Sequence, residues 1–164
     1  MPFQSTVYST QAVGKPGTIA RQNPLTRIPM IAEGTAVFAG GFVFEGTNPE
    51  LQIIGPSADT ASKTTADIAG VCVFEKFQMA LRGGDNGDGL ATLNVNPGEE
   101  CATVKRGYVY VLSATASVHG QSVYVNTTTG EIQTGTSAPE NFIDTGWKVQ
   151  TGNAAGQTCE IYNI

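Results

Sequence analysis

The fold class of this 164-residue chain is decided by the stretch Tyr108-Val109-Tyr110-Val111-Leu112-Ser113-Ala114. This stretch is rich in β-branched and aromatic residues and almost continuously apolar, which is typical of a strand that is covered on both faces. Similar short apolar stretches recur on either side of it, and no stretch without Gly or Pro exceeds 13 residues. A long helix therefore has no room, because Gly and Pro interrupt helices. The sequence predicts an all-β protein.

The other strands are placed by the turn residues between them. Gly40-Gly41 divides the segment 35–44 into two short strands, and the loop 126–130, which ends in Gly, indicates a hairpin. The segment 57–69 has no large apolar face and is predicted to be a loop with at most a short helix. Strands spaced at roughly 8–12 residues are typical of a small β-barrel or a jelly-roll-like sandwich. The remaining predicted strands are 51–54, 70–81, 90–95, 108–114, 122–125, 131–134, 142–150 and 159–164.

The overall composition argues against several classes of partner. Charged residues make up 14% of the chain and leave a net charge of −5, whereas a domain that binds nucleic acid normally displays a basic face. No signal peptide is recognisable in this sequence, and no apolar run reaches the roughly 18 residues that span a bilayer. We therefore expect neither nucleic acid nor a membrane as a partner. Cys72, Cys101 and Cys159 lack C-x-x-C spacing and are expected to be buried free thiols.

The first 32 residues differ from the rest in charge and in pattern. They contain Lys15, Arg21 and Arg27 and no acid, a charge of +3, whereas residues 33–164 carry −8. Repeated Pro and Gly residues exclude a helix here and argue against a central strand. Apolar side chains are nevertheless spread along the segment, and they favour contact with a surface, either that of the protein's own body or that of a neighbour. We therefore expect an extended N-terminal arm, residues 1–32, on a β-barrel or jelly-roll-like body, residues 33–164.

No group of residues in the sequence points to catalysis. His119 is the single histidine, and no nucleophile or orienting acid accompanies it in a recognisable pattern, so it is predicted to lie in a turn beside Gly120. The loop Gly83-Gly84-Asp85-Asn86-Gly87-Asp88-Gly89 offers oxygen ligands without the spacing of a calcium loop. Its Asn-Gly and Asp-Gly pairs favour a tight hairpin instead. We expect no catalytic residue, no cofactor and no metal site.

Several blocks of the sequence carry a resemblance to a known family. The stretch Gln11-Ala12-Val13-Gly14-Lys15-Pro16-Gly17-Thr18-Ile19-Ala20-Arg21 resembles the N-terminal signature of the phage structural cement proteins, which precedes a Pro-rich arm. Tyr110 stands where the family pattern has Trp, and Cys72 where it has Ala. The other blocks that resemble the family, in order, are Ile31 to Phe44 with its Gly40-Gly41, Ile68-Ala69-Gly70-Val71-Cys72-Val73, Lys105-Arg106-Gly107-Tyr108-Val109-Tyr110-Val111 and Ser122-Val123-Tyr124-Val125.

The resemblance implies a non-enzymatic capsid decoration, or cement, protein on the outer surface of a tailed-phage head. Its partners would be the major capsid protein and further copies of itself, with dimers favoured and trimers an alternative, after synthesis in the host cytoplasm. An extended arm of 32 residues spans on the order of 100 Å, which is enough to bridge several coat subunits. The candidate capsid-binding residues of the arm are Phe3, Tyr8, Val13, Pro16, Ile19, Arg21 and Arg27.

A carbohydrate-binding β-sandwich module, in a tail fibre or another virion adhesin, is the alternative function. Such a module needs a row of exposed aromatic side chains on one face of a sheet. Tyr108, Tyr110, Tyr124 and Trp147 could supply it, although the first two lie in the most apolar strand of the chain. An enzyme with a cupin-like β-fold would need a cluster of histidines, which the sequence lacks.

Overall fold

A computed structural model of the protein describes residues 14–73 and 94–164. These residues form strands and turns, and the only helical elements among them are two single 3-10 turns, Ala58–Thr60 and Thr65–Asp67. The strands are β1 (Ile19–Glu33), β2 (Val37–Phe38), β3 (Phe42–Glu45), β4 (Gln52–Ile54), β5 (Ile68–Val73), β6 (Asn94–Val95), β7 (Glu100–Ser113), β8 (Ser122–Asn126), β9 (Ile132–Gly135), β10 (Phe142–Thr151) and β11 (Gln157–Asn163).

The long strand β7 holds the molecule together because it belongs to two rings of strands. On one side the strands follow the order β1-β4-β3-β5-β7, and β1 pairs with β7 to close the first ring. On the other side the order is β7-β11-β10-β8-β9. Just beyond β7, the Ala114 amide donates to the Ile132 carbonyl of β9 (2.8 Å), and the Thr134 amide donates to Thr115 Oγ1 (2.8 Å). These bonds bring β9 back to β7 and close the second ring.

Two hydrophobic cores follow from this arrangement, since alternate residues of a strand point to opposite faces. On β3, for example, Val43 points into one core, while Phe42 and Phe44 point into the other, where the Phe42 and Trp147 rings meet edge to face. The interior of the first ring is filled by Met30, Ala32, Val37, Val43, Ile53, Ala69, Cys72, Val95 and Cys101. The larger core contains Phe42, Phe44, Val71, Val73, Ala102, Val104, Val109, Val111, Val123, Val125, Ile132, Trp147, Val149, Cys159 and Ile161.

Most of the structure agrees with the sequence prediction. The all-β class with a closed ring of strands is confirmed, as are the division at Gly40-Gly41 and the hairpin between β8 and β9. The segment 57–69 contains the two 3-10 turns and the start of β5. The three cysteines are buried free thiols. The later part of the predicted strand 70–81, most of 90–95 and the Gly83–Gly89 loop lie outside the described residues.

The structure differs from the prediction at residues 19–32, which were expected to belong to the arm. They form most of β1, which runs antiparallel to β7 from Ile19 to Ile31, so the body begins well before residue 33. The sequence argued against a strand here because proline cannot donate to the ladder. Pro24, however, lies in a bulge between the pairs Arg21↔Tyr108 and Thr26↔Arg106. Pro29 precedes the pairing of β1 with β4, so a strand flanks it only on the β7 side.

Candidate functional site

The N-terminal signature forms a tight turn that is fastened to the body. Thr18 bonds back to the carbonyl oxygen of Lys15 through both its amide (3.1 Å) and its hydroxyl group (2.7 Å). Gly17 has a φ of 81°, a conformation that favours glycine, and a Cβ on it would lie 2.8 Å from the backbone nitrogen of Gly40. The Lys15-Pro16-Gly17 turn, which we call the docking turn, therefore packs backbone against backbone on the Gly40-Gly41 bend.

The same turn continues the ladder of β7 and fixes the position of Gly14. The Gly17 amide donates to the carbonyl oxygen of Tyr110 (2.8 Å), and the Tyr110 amide donates to the carbonyl oxygen of Thr18 (3.0 Å). Gly14 lies so close to the Tyr110 ring that a side chain on Gly14 would overlap it. Gly14, the first residue of the described part of the chain, is therefore held in place against the Tyr110 ring.

A buried carboxylate lies next to this point. Glu160 on β11 is 1% exposed and accepts hydrogen bonds from Arg21 Nε (2.8 Å), Arg21 Nη2 (3.4 Å) and Thr151 Oγ1 (3.0 Å). The hydrogen bond to Glu160 raises the pKa of Arg21, so the guanidinium stays charged. Burying a carboxylate without a compensating cation is costly, and Arg21 supplies that cation. The ion pair fastens the start of β1 to β11.

Aromatic side chains complete the cluster on the outer face of the second ring. The Arg21 guanidinium carbon lies 4.5 Å from the centroid of the Tyr108 ring, a cation–π contact. Tyr108 stacks on Tyr162 with 5.8 Å between the ring centroids and 24° between their planes. Burial raises the pKa of the neighbouring Tyr110 hydroxyl group. We call the set Gly14 to Thr18, Arg21, Tyr108, Tyr110, Glu160 and Tyr162 the arm-exit site.

The predicted arm residues have different environments in the structure. Pro16 lies in the docking turn, Ile19 packs against the larger core, and Arg21 pairs with Glu160. Arg27 is exposed on β1, and Phe3, Tyr8 and Val13 lie outside the described residues. Of the predicted arm residues that the structure describes, only Pro16 and Arg21 therefore belong to the arm-exit site. Sequence reasoning missed Glu160, although an acid between the apolar residues Cys159 and Ile161 is a signal for a compensated charge.

The described residues offer little for other kinds of chemistry. Within 14–73 and 94–164, no three His, Cys, Asp or Glu side chains lie where they could hold a metal ion. His119 Nδ1 lies 2.7 Å from the carbonyl oxygen of Gln150 at an exposed turn, where the sequence placed it. No helix in the described part of the chain is long and apolar enough to cross a membrane.

Comparison with known protein families identifies the family to which the chain belongs. Residues 3–163 match the family of structural cement proteins that includes E217 gp24 and Pam3 gp6. The chain is a phage structural cement protein by family. The match extends through both rings and the docking turn, so the family pattern includes the N-terminal segment as well as the body. Membership implies a structural component of the phage virion, without enzymatic activity.

A solved phage structure shows that this fold is shared at low sequence identity. A chain from the capsid of Myoviridae phage XM1 superposes with a TM-score of 0.64 at 16% identity, over 99% of the cement protein and 97% of that chain. The base of head fibre gp8.5 of bacteriophage phi29 gives a TM-score of 0.45 at 11% identity, over 85% and 94%. No curated protein sequence matches.

The four aromatic residues that the sequence offered for a carbohydrate-binding module do not form an exposed row in this cement protein. Tyr110, Tyr124 and Trp147 are 9%, 5% and 2% exposed and are therefore buried. Tyr108 is partly exposed, but its ring already contacts Arg21 and Tyr162. A sugar ring would have to displace these contacts in order to stack on Tyr108. The geometry therefore speaks against the carbohydrate-binding alternative.

Proposed function

We propose that this protein binds the exterior of a tailed-phage capsid and strengthens the shell by bridging neighbouring subunits of the major capsid protein. The observation that carries the proposal is the family match over residues 3–163, which includes the N-terminal segment. In this view the body is a rigid block and residues 1–13 are the tether. Each copy adds a contact that opposes the separation of coat subunits, and repetition over a symmetric shell multiplies weak contacts.

The geometry of the arm-exit site supports these separate roles for the body and for residues 1–13. Residues 1–13 join the body where Gly14 meets Tyr110 and where Arg21 holds the start of β1 on Glu160. Fully extended, thirteen residues span at most about 45 Å, compared with a radius of gyration of about 15 Å for a body of this size. A tether of this length, attached at a rigid point, is long enough to reach an adjacent subunit.

Within this proposal the candidate capsid contacts have separate roles. Phe3, Tyr8 and Val13 are the apolar anchors, because they precede the docking turn in the sequence. Arg27 is an exposed cation on β1 that can face the shell. Pro16, Ile19 and Arg21 act indirectly, because their contacts within the body orient the tether.

Assembly of several copies is a further part of the proposal. We infer a homo-oligomer, with a dimer favoured over a trimer, that places two or more tethers on adjacent coat subunits without contacting nucleic acid or membrane. Two linked tethers bind more tightly than one, since the second engages at a high effective concentration. Sedimentation equilibrium of the free protein distinguishes monomer, dimer and trimer, and a monomer at every concentration would contradict this part.

The central experiment removes residues 1–13 and measures attachment to capsids that lack the protein. We expect the truncated protein to melt at the same temperature as the full chain, because both rings and the docking turn remain. We expect its cosedimentation with capsids to fall at least 10-fold, because the apolar anchors are gone; 10-fold corresponds to about 1.4 kcal/mol of binding free energy. Full occupancy by the truncated protein would refute the tether.

A variant of unchanged length tests whether attachment needs the apolar side chains of residues 1–13 or only the length of this segment. Replacing Phe3, Tyr8 and Val13 with Ser keeps thirteen residues and removes the apolar side chains. Replacing Ser5, Thr6 and Ser9 with Ala is the matched control, since these are small polar residues of the same segment. We expect the first variant to lose attachment and the second to keep it. Equal attachment by the two variants would show that the apolar side chains are not the anchors.

A further inference from the structure

Two of the three cysteines lie side by side in the interior of the first ring. Cys72 on β5 is the register partner of Thr103 on β7, and Cys101 lies two residues before Thr103, on the same face of that strand. Cys72 and Cys101 are 1% and 0% exposed and belong to the same core. The third cysteine, Cys159, lies in the larger core instead.

The backbone hydrogen bonds of Cys72 explain why these two side chains meet. The Cys72 amide donates to the carbonyl oxygen of Gly41 (3.0 Å), and the Cys72 carbonyl oxygen accepts from the Gly40 amide (2.7 Å). Both groups therefore point away from β7. Cys72 and Thr103 then form a non-hydrogen-bonded pair, the type in which opposing side chains of antiparallel strands lie closest. The right-handed twist of the strands turns the Cys72 side chain toward the residue two positions before its partner, which is Cys101.

The polar groups around the two cysteines agree with this contact. The hydrogen bond with Cys101 is the largest cause of the raised pKa of Cys72, ahead of burial. The hydroxyl group of Thr103 is buried beside them and has no hydrogen-bond partner among the described residues. It can donate to a sulfur atom or to an oxygen bonded to that sulfur. The interior of the first ring thus brings two thiols and one hydroxyl group together.

We propose that Cys72 and Cys101 are a redox-sensitive modification site, which forms an intramolecular disulfide when the folded protein meets a small two-electron oxidant such as hydrogen peroxide. A component of the phage virion leaves the host with the particle, and extracellular surroundings are oxidising, whereas a cytoplasm keeps thiols reduced. The disulfide joins β5 to β7 and locks the first ring. This inference goes beyond the proposed function, because it concerns the free protein as well as an attached copy.

The reaction balances with the peroxide as the only oxidant. One of the two thiols loses its proton, and the thiolate attacks an oxygen atom of the peroxide, which breaks the O–O bond and leaves a sulfenic acid and hydroxide. The hydroxide takes up the released proton and becomes water. The sulfur of the second cysteine then attacks the sulfenic sulfur, forms the S–S bond and releases a second water. The two sulfur atoms lose two electrons in total, and the peroxide is reduced to two waters.

The test exposes the reduced, full-length protein to hydrogen peroxide and locates the disulfide by peptide mapping. Cleavage after Lys and Arg places the three cysteines in different peptides, residues 64–76, 83–105 and 149–164. Cys101→Ala removes one member of the pair. Cys159→Ala is the matched control, because it removes a buried thiol from the other core. Protein unfolded in urea shows that the dose of peroxide is sufficient, and incubation for hours allows for the slow reaction of buried thiols.

We expect the folded protein to lose two of its three thiols and to yield peptide 64–76 joined to peptide 83–105, lighter by two hydrogen atoms. The disulfide should raise the melting temperature by about 5–10 °C, because it restricts the unfolded chain. Cys159→Ala should respond in the same way. Cys101→Ala should keep both of its thiols and its melting temperature. A reductant should reverse the changes in the wild type.

Three outcomes would overturn the inference. Retention of all three thiols by the folded protein, at a dose that oxidises the unfolded protein, would show that the pair does not react. A cross-link to peptide 149–164 would show that the disulfide forms through unfolding. Sulfinic acid at Cys72 or Cys101 in place of a disulfide would show that the two sulfur atoms cannot meet. None of these outcomes bears on attachment to capsids, because the free protein is measured.

Discussion

Two glycines, Gly17 and Gly40, lie where two turns of the backbone pack closely against each other. Both have positive φ, 81° and 80°, and each would place a Cβ within 3 Å of backbone or side-chain atoms of the other turn. Only glycine satisfies both demands at once. The pair therefore explains why the docking turn and the Gly40-Gly41 bend contain glycines.

Substitution of Gly17 measures what this contact contributes. Gly17→Ala should destabilise the protein more than Gly120→Ala, because Gly120 has a similar φ of 85° but open space around it. We expect Gly120→Ala to lower the free energy of unfolding by about 1 kcal/mol, through backbone strain alone. Gly17→Ala should cost about 1–2 kcal/mol more, because the backbones must separate. Urea denaturation of both variants measures the difference, and equal losses would show that the contact is loose.

At the scale of secondary-structure elements, β1 and β7 form the seam that closes the first ring. Their register pairs run from Ile19↔Val109 to Ile31↔Glu100, with the bulge of residues 22–25 folded over Gly107. Removing part of β1 would leave unpaired amides and carbonyl groups along β7 and would open the interior of the first ring to water.

Two truncations test the seam. Deletion of residues 1–27 should destabilise the body strongly or prevent folding, because it removes the docking turn, the Arg21–Glu160 ion pair and more than half of β1. Deletion of residues 1–13 should leave the melting temperature unchanged. Far-UV circular dichroism and thermal melting of both proteins measure the outcome. A cooperative melt of the shorter protein at the wild-type temperature would show that β1 is dispensable.

How well the sequence predicted each feature depends on how far apart in the chain the interacting residues lie. Val123 and Val125 alternate with polar neighbours, so local pattern alone predicted β8 and its hairpin. The strand pairing of β1 could not be predicted, because the positions at which Pro24 and Pro29 are tolerated depend on a partner some 75 residues away. The Arg21–Glu160 pair spans 139 residues, so the apolar neighbours of Glu160 indicate a buried acid but not which cation compensates it. The sequence identified the signature turn, and only the structure shows what it packs against.

At the scale of the whole molecule, the two cores depend on each other because both contain side chains of β7. Cys72 and Cys101 lie inside the first ring, and Trp147 lies in the larger core. The hydrogen bond with Cys101, together with burial, raises the pKa of Cys72. A thiol with a raised pKa reacts slowly until unfolding exposes it. Each core therefore contains its own reporter of unfolding.

We expect the two cores to unfold in one transition. In a Cys159→Ala background, thiol exposure of Cys72 and Cys101 and fluorescence of Trp147 should give the same urea midpoint. Val123→Ala, in the larger core, should lower the free energy of unfolding by about 2 kcal/mol and shift both signals together. Separate midpoints would show that the rings fold independently despite sharing β7.

The antiparallel seam between β1 and β7 also sets how the molecule responds to force. A genome-filled head pushes its shell outward, and a tether fixed to a neighbouring subunit would pull on the body through Gly14 and the start of β1. Hydrogen bonds between antiparallel strands run perpendicular to the strands. Tension along β1 therefore loads the hydrogen bonds to β7 together, in shear. Peeling the strands apart from one end would instead break these bonds one after another. The docking turn and the Arg21–Glu160 pair bear that tension first, and the hydrogen bonds along the rest of β1 and β7 share it.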